Sequence, residues 1–149
     1  MKIYDCCMFY DEDLVIDLRL NILNEYVEEF VKVESKFTHS GKKTELLFDI
    51  NKYSKFKKKI NYIVLENEPA NLEIVQDYDT DDKKNSKYIM NALKRENFQR
   101  NGIKKRITNA NPDDIILVSD VDEIPNLSNL DLNKINNNII LFKQNFYYY

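Results

Sequence analysis

The stretch Ile115-Ile116-Leu117-Val118-Ser119-Asp120-Val121-Asp122-Glu123-Ile124-Pro125 constrains the chain more than any other. A run of apolar, mostly β-branched residues stops abruptly in three carboxylates and a proline. The run reads as a strand buried on both faces, the pattern of a parallel sheet covered by helices. Pro125 closes the ladder because it has no N–H to give. Asp120 and Asp122 are two apart, so in extended backbone they point to the same side. Carboxylates aimed at one spot repel each other unless a proton or a cation lies between them. Oxygen ligands suit hard ions such as Mg²⁺ and Mn²⁺, and open α/β sheets bind ligands beyond the carboxyl ends of their strands. The alternative is an acid-rich surface turn, because Asp-x-Asp alone is a common pattern.

The remaining chain supplies the layers for such a sheet. Lys2–Tyr10 reads as a first strand, and Asp11-Glu12-Asp13 opens a helix over Leu14–Tyr26, with acids at the positive end of its dipole. Val15, Leu18, Ile22 and Tyr26 form its apolar face at helical spacing. Phe30–Glu34 is a second strand ending at Glu34-Ser35, Lys36–Lys43 a polar loop, and Phe48–Lys59 holds a short helix. A third strand, Ile60–Leu65, precedes an irregular acidic segment with a helical turn at Leu72–Val75. Asp81–Arg106 then contains a long helix, and Asn111-Pro112-Asp113-Asp114 turns the chain into the carboxylate-ended strand. A polar connector, Asn126–Asn138, leads to a last strand starting at Ile139–Phe142 and running into Phe146-Tyr147-Tyr148-Tyr149. Strands alternating with helices predict an α/β fold, a mostly parallel sheet flanked by helices, in a single domain over residues 1–149. The ending inside an aromatic strand predicts a domain truncated at its C-terminal end.

Composition narrows the chemistry. The only glycines are Gly41 and Gly102, which excludes a Walker phosphate loop and a Rossmann glycine fingerprint. The single histidine, His39, leaves little room for zinc clusters or a histidine triad. Cys6 and Cys7 are neighbours whose side chains leave a strand on opposite faces, so they do not pair. A net charge of −3 gives no footprint for nucleic acid. The start, Met1-Lys2-Ile3-Tyr4-Asp5, meets an acid too early for a leader, and no apolar run reaches membrane-spanning length. The expectation is a cytoplasmic protein.

The long helix carries a second signal. Ile89, Ala92, Leu93, Ile103 and Ile107 share one face, yet Glu96, Gln99 and Arg100 fall in its middle and Arg95 at its edge. Glu96 and Arg100 could simply pair at i, i+4. Otherwise that face borders a polar cleft in which Arg95, Gln99 or Arg100 meets an anion or the Asp120 cluster, a task suited to the arginine fork. Glu34, at a strand's carboxyl end, is either a cleft residue or a loop cap. His39 is either a solvated loop residue or a ligand or base.

Taken as a set, Tyr4-Asp5-Cys6-x-Met8-Phe9-x-Asp11-Glu12, Val33-Glu34-Ser35 with Thr38-His39-Ser40-Gly41, Arg95-Glu96-Asn97-x-Gln99-Arg100 and Ser119–Pro125 resemble glycosyltransferase family 17 along the whole chain. That family includes the β-1,4-mannosyl-glycoprotein N-acetylglucosaminyltransferase. The resemblance implies a GT-A-like fold, a nucleotide-sugar donor (UDP-GlcNAc), a glycan acceptor and a divalent metal, Mn²⁺ or Mg²⁺. By that likeness Asp122 binds the metal, and Asp120 contacts the metal shell or the donor ribose. Asp5, Met8, Phe9, Glu34 and Ser35 line the nucleotide pocket, and Arg95, Gln99 and Arg100 face the donor. The transfer is inverting and needs a base. Glu123 is the carboxylate beside the motif that could serve; otherwise the base is expected beyond Tyr149. Two other readings stay open from the residues alone: a phosphoryl-transfer enzyme with Asp120 as nucleophile, and a truncated or non-catalytic binding domain.

Overall fold

A computed structural model of the chain describes residues 1–131 and 139–145. Its elements follow the order β1 (Ile3–Met8), α1 (Asp13–Leu23), β2 (Glu29–Ser35), a 3-10 helix at Ile50–Phe56, β3 (Ile60–Leu65), α2 (Asp81–Asn101), α3 (Lys104–Ile107) and β4 (Ile115–Val118). The strands form one sheet in the order β3-β2-β1-β4, and every neighbouring pair is parallel. The chain therefore winds outward from β1 to β3, and the segment carrying α2 returns it to the other side of β1. Strand order reverses between β1 and β4. That junction is where an open α/β sheet leaves a crevice at its carboxyl edge.

Alternation along the strands divides the core into two layers. Ile3, Cys7 and Phe30 pack with Ile16, Leu20 and Leu23 of α1 and with Tyr53 and Phe56 of the 3-10 helix. Tyr4, Cys6, Val31 and Val33 pack on the other face with Leu65, Ile103, Phe98 and Ile107. The two cysteines lie in different layers, both free and buried. Burial, and then the charge of Asp5, pushes the Cys6 thiol up to about 12, which leaves it inert. Gly102 ends α2 against the sheet. A Cβ there would lie 2.8 Å from Val33 Cγ1 and 2.9 Å from the Gln99 carbonyl, so only glycine allows this approach.

Several sequence expectations need correction. On α1 the buried face is Ile16, Arg19, Leu20 and Leu23. Leu18 and Ile22, expected inside, are 53% and 46% exposed. The helix is apolar on more than one side, and the true face was obscured by the arginine within it. On α2, likewise, Ile89 and Leu93 are 63% and 45% exposed while Asn91 and Gln99 are buried. That helix ends at Asn101 and α3 follows as a separate turn, so Ile103 and Ile107, expected on the long helix, lie beyond it. β4 is not buried on both faces: Leu117 is covered but Val118 is 52% exposed, because among the described residues β4 pairs only with β1. Leu72–Val75 forms no helical turn.

The strand expected at Ile139–Phe142 does not form. Residues 139–145 join no ladder, and Ile139 and Leu141 are 78% and 90% exposed. Apolar, β-branched composition confers strand propensity, but a strand exists only where a sheet edge pairs with it. Its expected continuation, Phe146-Tyr147-Tyr148-Tyr149, lies outside the described residues, as do positions 132–138 of the polar connector. No described helix is long and apolar enough to cross a membrane.

Candidate functional site

The carboxyl edge of the sheet opens into a cleft of about 820 Å³. Met8, Phe9 and Tyr10 enter it from the end of β1, and Glu12 from the segment leading into α1. Ser35 and the following hairpin, including Phe37, Thr38, His39 and Lys42, enter from the end of β2. Asp120, Val121 and Asp122 come from the turn after β4, and Gln99 comes from α2. The cleft thus sits at the strand-order reversal between β1 and β4.

The acidic turn is held from beneath by one buried arginine. Arg19 Nη1 donates to the carbonyls of Asp120 (2.7 Å), Val121 (3.1 Å) and Glu123 (3.2 Å), and Nη2 donates to Ser119 Oγ (2.7 Å). Backbone carbonyls only accept, so a multidentate cation is the side chain that can gather several of them. The charge is balanced by Asp5, which accepts from Arg19 Nε (3.0 Å), Arg19 Nη2 (2.7 Å) and Lys32 Nζ (2.8 Å). Asp5, Arg19 and Lys32 are all 0% exposed. Burial alone would raise the Asp5 carboxyl, but Lys32 and Arg19 outweigh it and hold the group below its ordinary range. Asp5 is therefore the counter-ion of the turn's cradle and is not among the cleft-lining residues.

The turn itself is not extended strand. The ladder ends at Val118, and Glu123 and Ile124 donate their amides back to the carbonyls of Asp120 (3.1 Å) and Asp122 (3.0 Å). Asp120 and Asp122 share the cleft because the turn delivers them there, rather than through strand alternation. Glu123 Oε2 accepts from the Asp120 amide at 3.1 Å, and Glu123 is not among the lining residues. Asp120 Oδ1 accepts from Arg100 Nη2 at 3.1 Å, and the same guanidinium donates to Glu96 at 3.1 Å. The i, i+4 pair and the link to the Asp120 cluster, posed as alternatives by the sequence, occur together.

The hairpin side is held by α2. Thr38 donates its amide to the Lys42 carbonyl (2.8 Å), Thr44 donates to Lys36 (2.9 Å), and Gly41 turns the tip with φ +88°. Arg95 Nε donates to Glu68 (2.6 Å) and Nη1 to the His39 carbonyl (3.3 Å), and a Cβ on Gly41 would strike this guanidinium at 2.6 Å. Arg95 thus ties the hairpin to α2 and is absent from the lining. Gln99 Nε2 donates to the carbonyls of Phe9 (3.3 Å) and Val33 (2.9 Å), and its Oε1 meets His39 Nε2 at 3.3 Å. Glu34 is a loop cap: its carboxylate accepts from the amides of Leu47 (2.7 Å) and Phe48 (3.2 Å) and from the Tyr62 hydroxyl (2.6 Å).

Of the residues expected to form a site, Met8, Phe9, Ser35, Gln99, Asp120 and Asp122 converge on the cleft, with Arg100 joined to it through Asp120. Asp5, Glu34 and Arg95 support its walls. Sequence reasoning missed Arg19 and Lys32, and among the lining residues it missed Glu12 and Lys42. The signal for Arg19 was available, since it lies in the middle of the apolar row Ile16, Leu20, Leu23.

The lining is acidic. Glu12, Asp120 and Asp122 face the cleft with Lys42 as its lysine. Glu12 accepts from the amides of Tyr10 (2.9 Å) and Asp11 (3.2 Å). No group of three or more His, Cys, Asp or Glu side chains able to cage a metal exists among the described residues. Asp120 and Asp122 fit a different kind of site, in which a hard cation takes one or two carboxylates and fills its shell with water and substrate phosphate.

A family model for glycosyltransferase family 17 matches residues 1–148. The chain belongs to that family. As a family 17 glycosyltransferase it uses a nucleotide-sugar donor and a glycan acceptor. No curated protein and no solved structure is significantly similar to the chain.

Proposed function

We propose that this family 17 member is a metal-dependent, inverting glycosyltransferase of GT-A-like fold, which transfers N-acetylglucosamine from UDP-GlcNAc to a glycan hydroxyl. One observation carries the metal dependence: the crevice at the strand-order reversal is lined by Glu12, Asp120 and Asp122. A nucleotide diphosphate is an anion, and carboxylates repel it unless a cation bridges the two. Asp122 would be the direct metal ligand, with Asp120 in the metal shell or on the donor ribose, and Mn²⁺ or Mg²⁺ the ion. A bound ion of that kind supplies neutralisation of the diphosphate as it leaves.

The residues of the chain then have distinct tasks. Arg19 holds the carbonyls of Asp120, Val121 and Glu123, so the two carboxylates are presented without reorganisation at the moment of reaction. Arg100, donating to Asp120 Oδ1, would hold that carboxylate in place for the donor and metal. Met8 and Tyr10 offer apolar and aromatic surface to the nucleotide, and Ser35 and Thr38 offer hydroxyls. Inversion requires a base opposite the leaving group to take the acceptor proton. Glu123 Oε2 accepts from the Asp120 amide, which favours a base other than Glu123.

The test is release of UDP from UDP-GlcNAc with Mn²⁺, by wild type and by Asp122→Ala. Metal-dependent release by wild type, reduced at least tenfold in the variant, supports the reading. Equal rates in the two proteins, or release unaffected by chelation, would refute it.

A further inference from the structure

The hydrogen bonds around Gln99 determine the protonation pattern of the chain's single histidine. Gln99 is buried at 6% exposure. Its side-chain amide lies against the carbonyls of Phe9 and Val33, at 3.3 and 2.9 Å. Carbonyls accept and never donate, so the NH2 end of the amide must face them. The oxygen end is thereby turned toward His39 Nε2, at 3.3 Å. That oxygen also only accepts, so Nε2 must carry the proton. In the neutral ring the other nitrogen, Nδ1, is then an acceptor. Nδ1 has no partner among the described residues, and His39 lines the cleft.

We infer that Gln99 fixes His39 in its Nε2–H form, so that Nδ1 serves as a hydrogen-bond acceptor for an O–H or N–H group of the nucleotide-sugar donor. The inference rests on the proposed donor site and adds a specificity-determining residue to it. It also accounts for a charge problem. The cleft acceptors at Glu12, Asp120 and Asp122 are anionic, and each repels phosphate. A neutral imidazole accepts from a hydroxyl or imide without adding negative charge. Arg95 steadies the hairpin backbone at this position by donating to the His39 carbonyl at 3.3 Å.

The first arm of the test needs no ligand. With one histidine, ¹⁵N-histidine labelling gives a single pair of ring nitrogens, and two-bond ¹⁵N–¹H correlation reads which one is protonated. Wild type should show a protonated Nε2 whose proton exchanges slowly with water. Gln99→Leu should shift the tautomer ratio and speed that exchange. A protonated Nδ1 in wild type, or no change in ratio and exchange in Gln99→Leu, overturns the lock.

The second arm compares two substitutions with opposite geometry. His39→Asn places an amide oxygen about where Nδ1 lies, while His39→Gln places its amide about where Nε2 lies. Titrated with UDP-GlcNAc and Mn²⁺, His39→Asn should stay within about threefold of wild-type Kd, and His39→Gln should lose at least tenfold. The reverse order, or two equal losses, overturns the acceptor role. A wild-type protein that binds no UDP-GlcNAc refutes the donor site itself, and that result is separate from the tautomer reading. A parallel titration with UMP assigns the contact: a shift of Nδ1 with UMP places it on the nucleotide half, and a shift with UDP-GlcNAc alone places it on the sugar.

Discussion

The two helices that cover the sheet each bury one polar side chain near its carboxyl edge, and the two side chains behave differently. Arg19 of α1 gathers the carbonyls of Asp120, Val121 and Glu123 and needs Asp5 to balance its charge. Gln99 of α2 gathers the carbonyls of Phe9 and Val33 and needs no counter-ion. Both hold cleft backbone from below, on opposite faces of the sheet. The charged version binds more groups and sits in a buried network of charges, in which Asp5 also pairs with Lys32. The neutral version binds fewer groups and fails more gently. The acidic turn, which must resist the mutual repulsion of Asp120 and Asp122, receives the charged cradle.

Breaking the charged side should have the largest effect. Asp5→Ala leaves Arg19 and Lys32 buried without their carboxylate. Removing one partner of a buried pair costs about 3–5 kcal/mol, which urea unfolding will read as a lower midpoint at unchanged slope. The same carboxylate gives the fold an acid limit. Its folded pKa is lowered, so its contribution is complete above the unfolded pKa of about 4 and is lost as pH falls further, through the folded value. Wild type should therefore weaken below about pH 4 more steeply than Asp5→Asn, which has no proton to gain.

The comparison is sharpened by replacing the whole network at once. Asp5→Leu, Arg19→Met and Lys32→Met together remove every buried charge of the triad, and such replacements are often neutral in stability. The triple variant should recover most of the stability lost in Asp5→Ala. It should still bind UDP-GlcNAc and Mn²⁺ at least tenfold more weakly, because nothing gathers the turn's carbonyls. A triple variant that binds like wild type would reduce Arg19 to a packing residue.

On the neutral side, Gln99→Leu leaves the Phe9 carbonyl without this donor and takes one donor from Val33. A buried acceptor left unsatisfied costs about 1–3 kcal/mol, below the Asp5→Ala loss. Val33 O keeps the Phe9 amide at 2.9 Å, which places the effect toward the lower end. Arg100→Ala should be smaller still. Exposed pairs contribute below about 1 kcal/mol, and the Arg100–Asp120 bridge is half exposed. A chemical-denaturation series over these variants tests the order directly.

Most of the architecture was legible because strands alternating with helices, without a glycine fingerprint, leave few alternatives. The parallel sheet, a short helix within Phe48–Lys59 and the acidic end of β4 all follow from local pattern. Helix faces were less legible. Reading α1 by hydrophobicity alone selected Val15, Leu18 and Ile22, because the buried row is interrupted by Arg19. Hydrophobic periodicity presumes an apolar interior, and both helices break that rule where they approach the cleft. Sequence pattern proposes polar partners such as Asp5, Glu34 and Arg95 but does not say whether they face a ligand or hold a wall. Their hydrogen-bond partners do. Arg19 and Asp5 are 14 positions apart, and Arg19 and Asp120 are 101 apart, a distance over which local pattern carries no information.

The central claim is that Asp120 and Asp122, presented by Arg19, bind the nucleotide-sugar donor through a metal. Thermal unfolding with UDP-GlcNAc alone, Mn²⁺ alone, both and neither tests it most directly, in wild type and in Asp122→Ala. A ligand that binds only the folded state raises the midpoint as its concentration exceeds Kd, and coupling between two ligands is reciprocal. The account predicts a wild-type shift with both ligands that exceeds the sum of the separate shifts, and no such excess in Asp122→Ala. An equal excess in the two proteins, or a full shift with UDP-GlcNAc in the absence of metal, would contradict it.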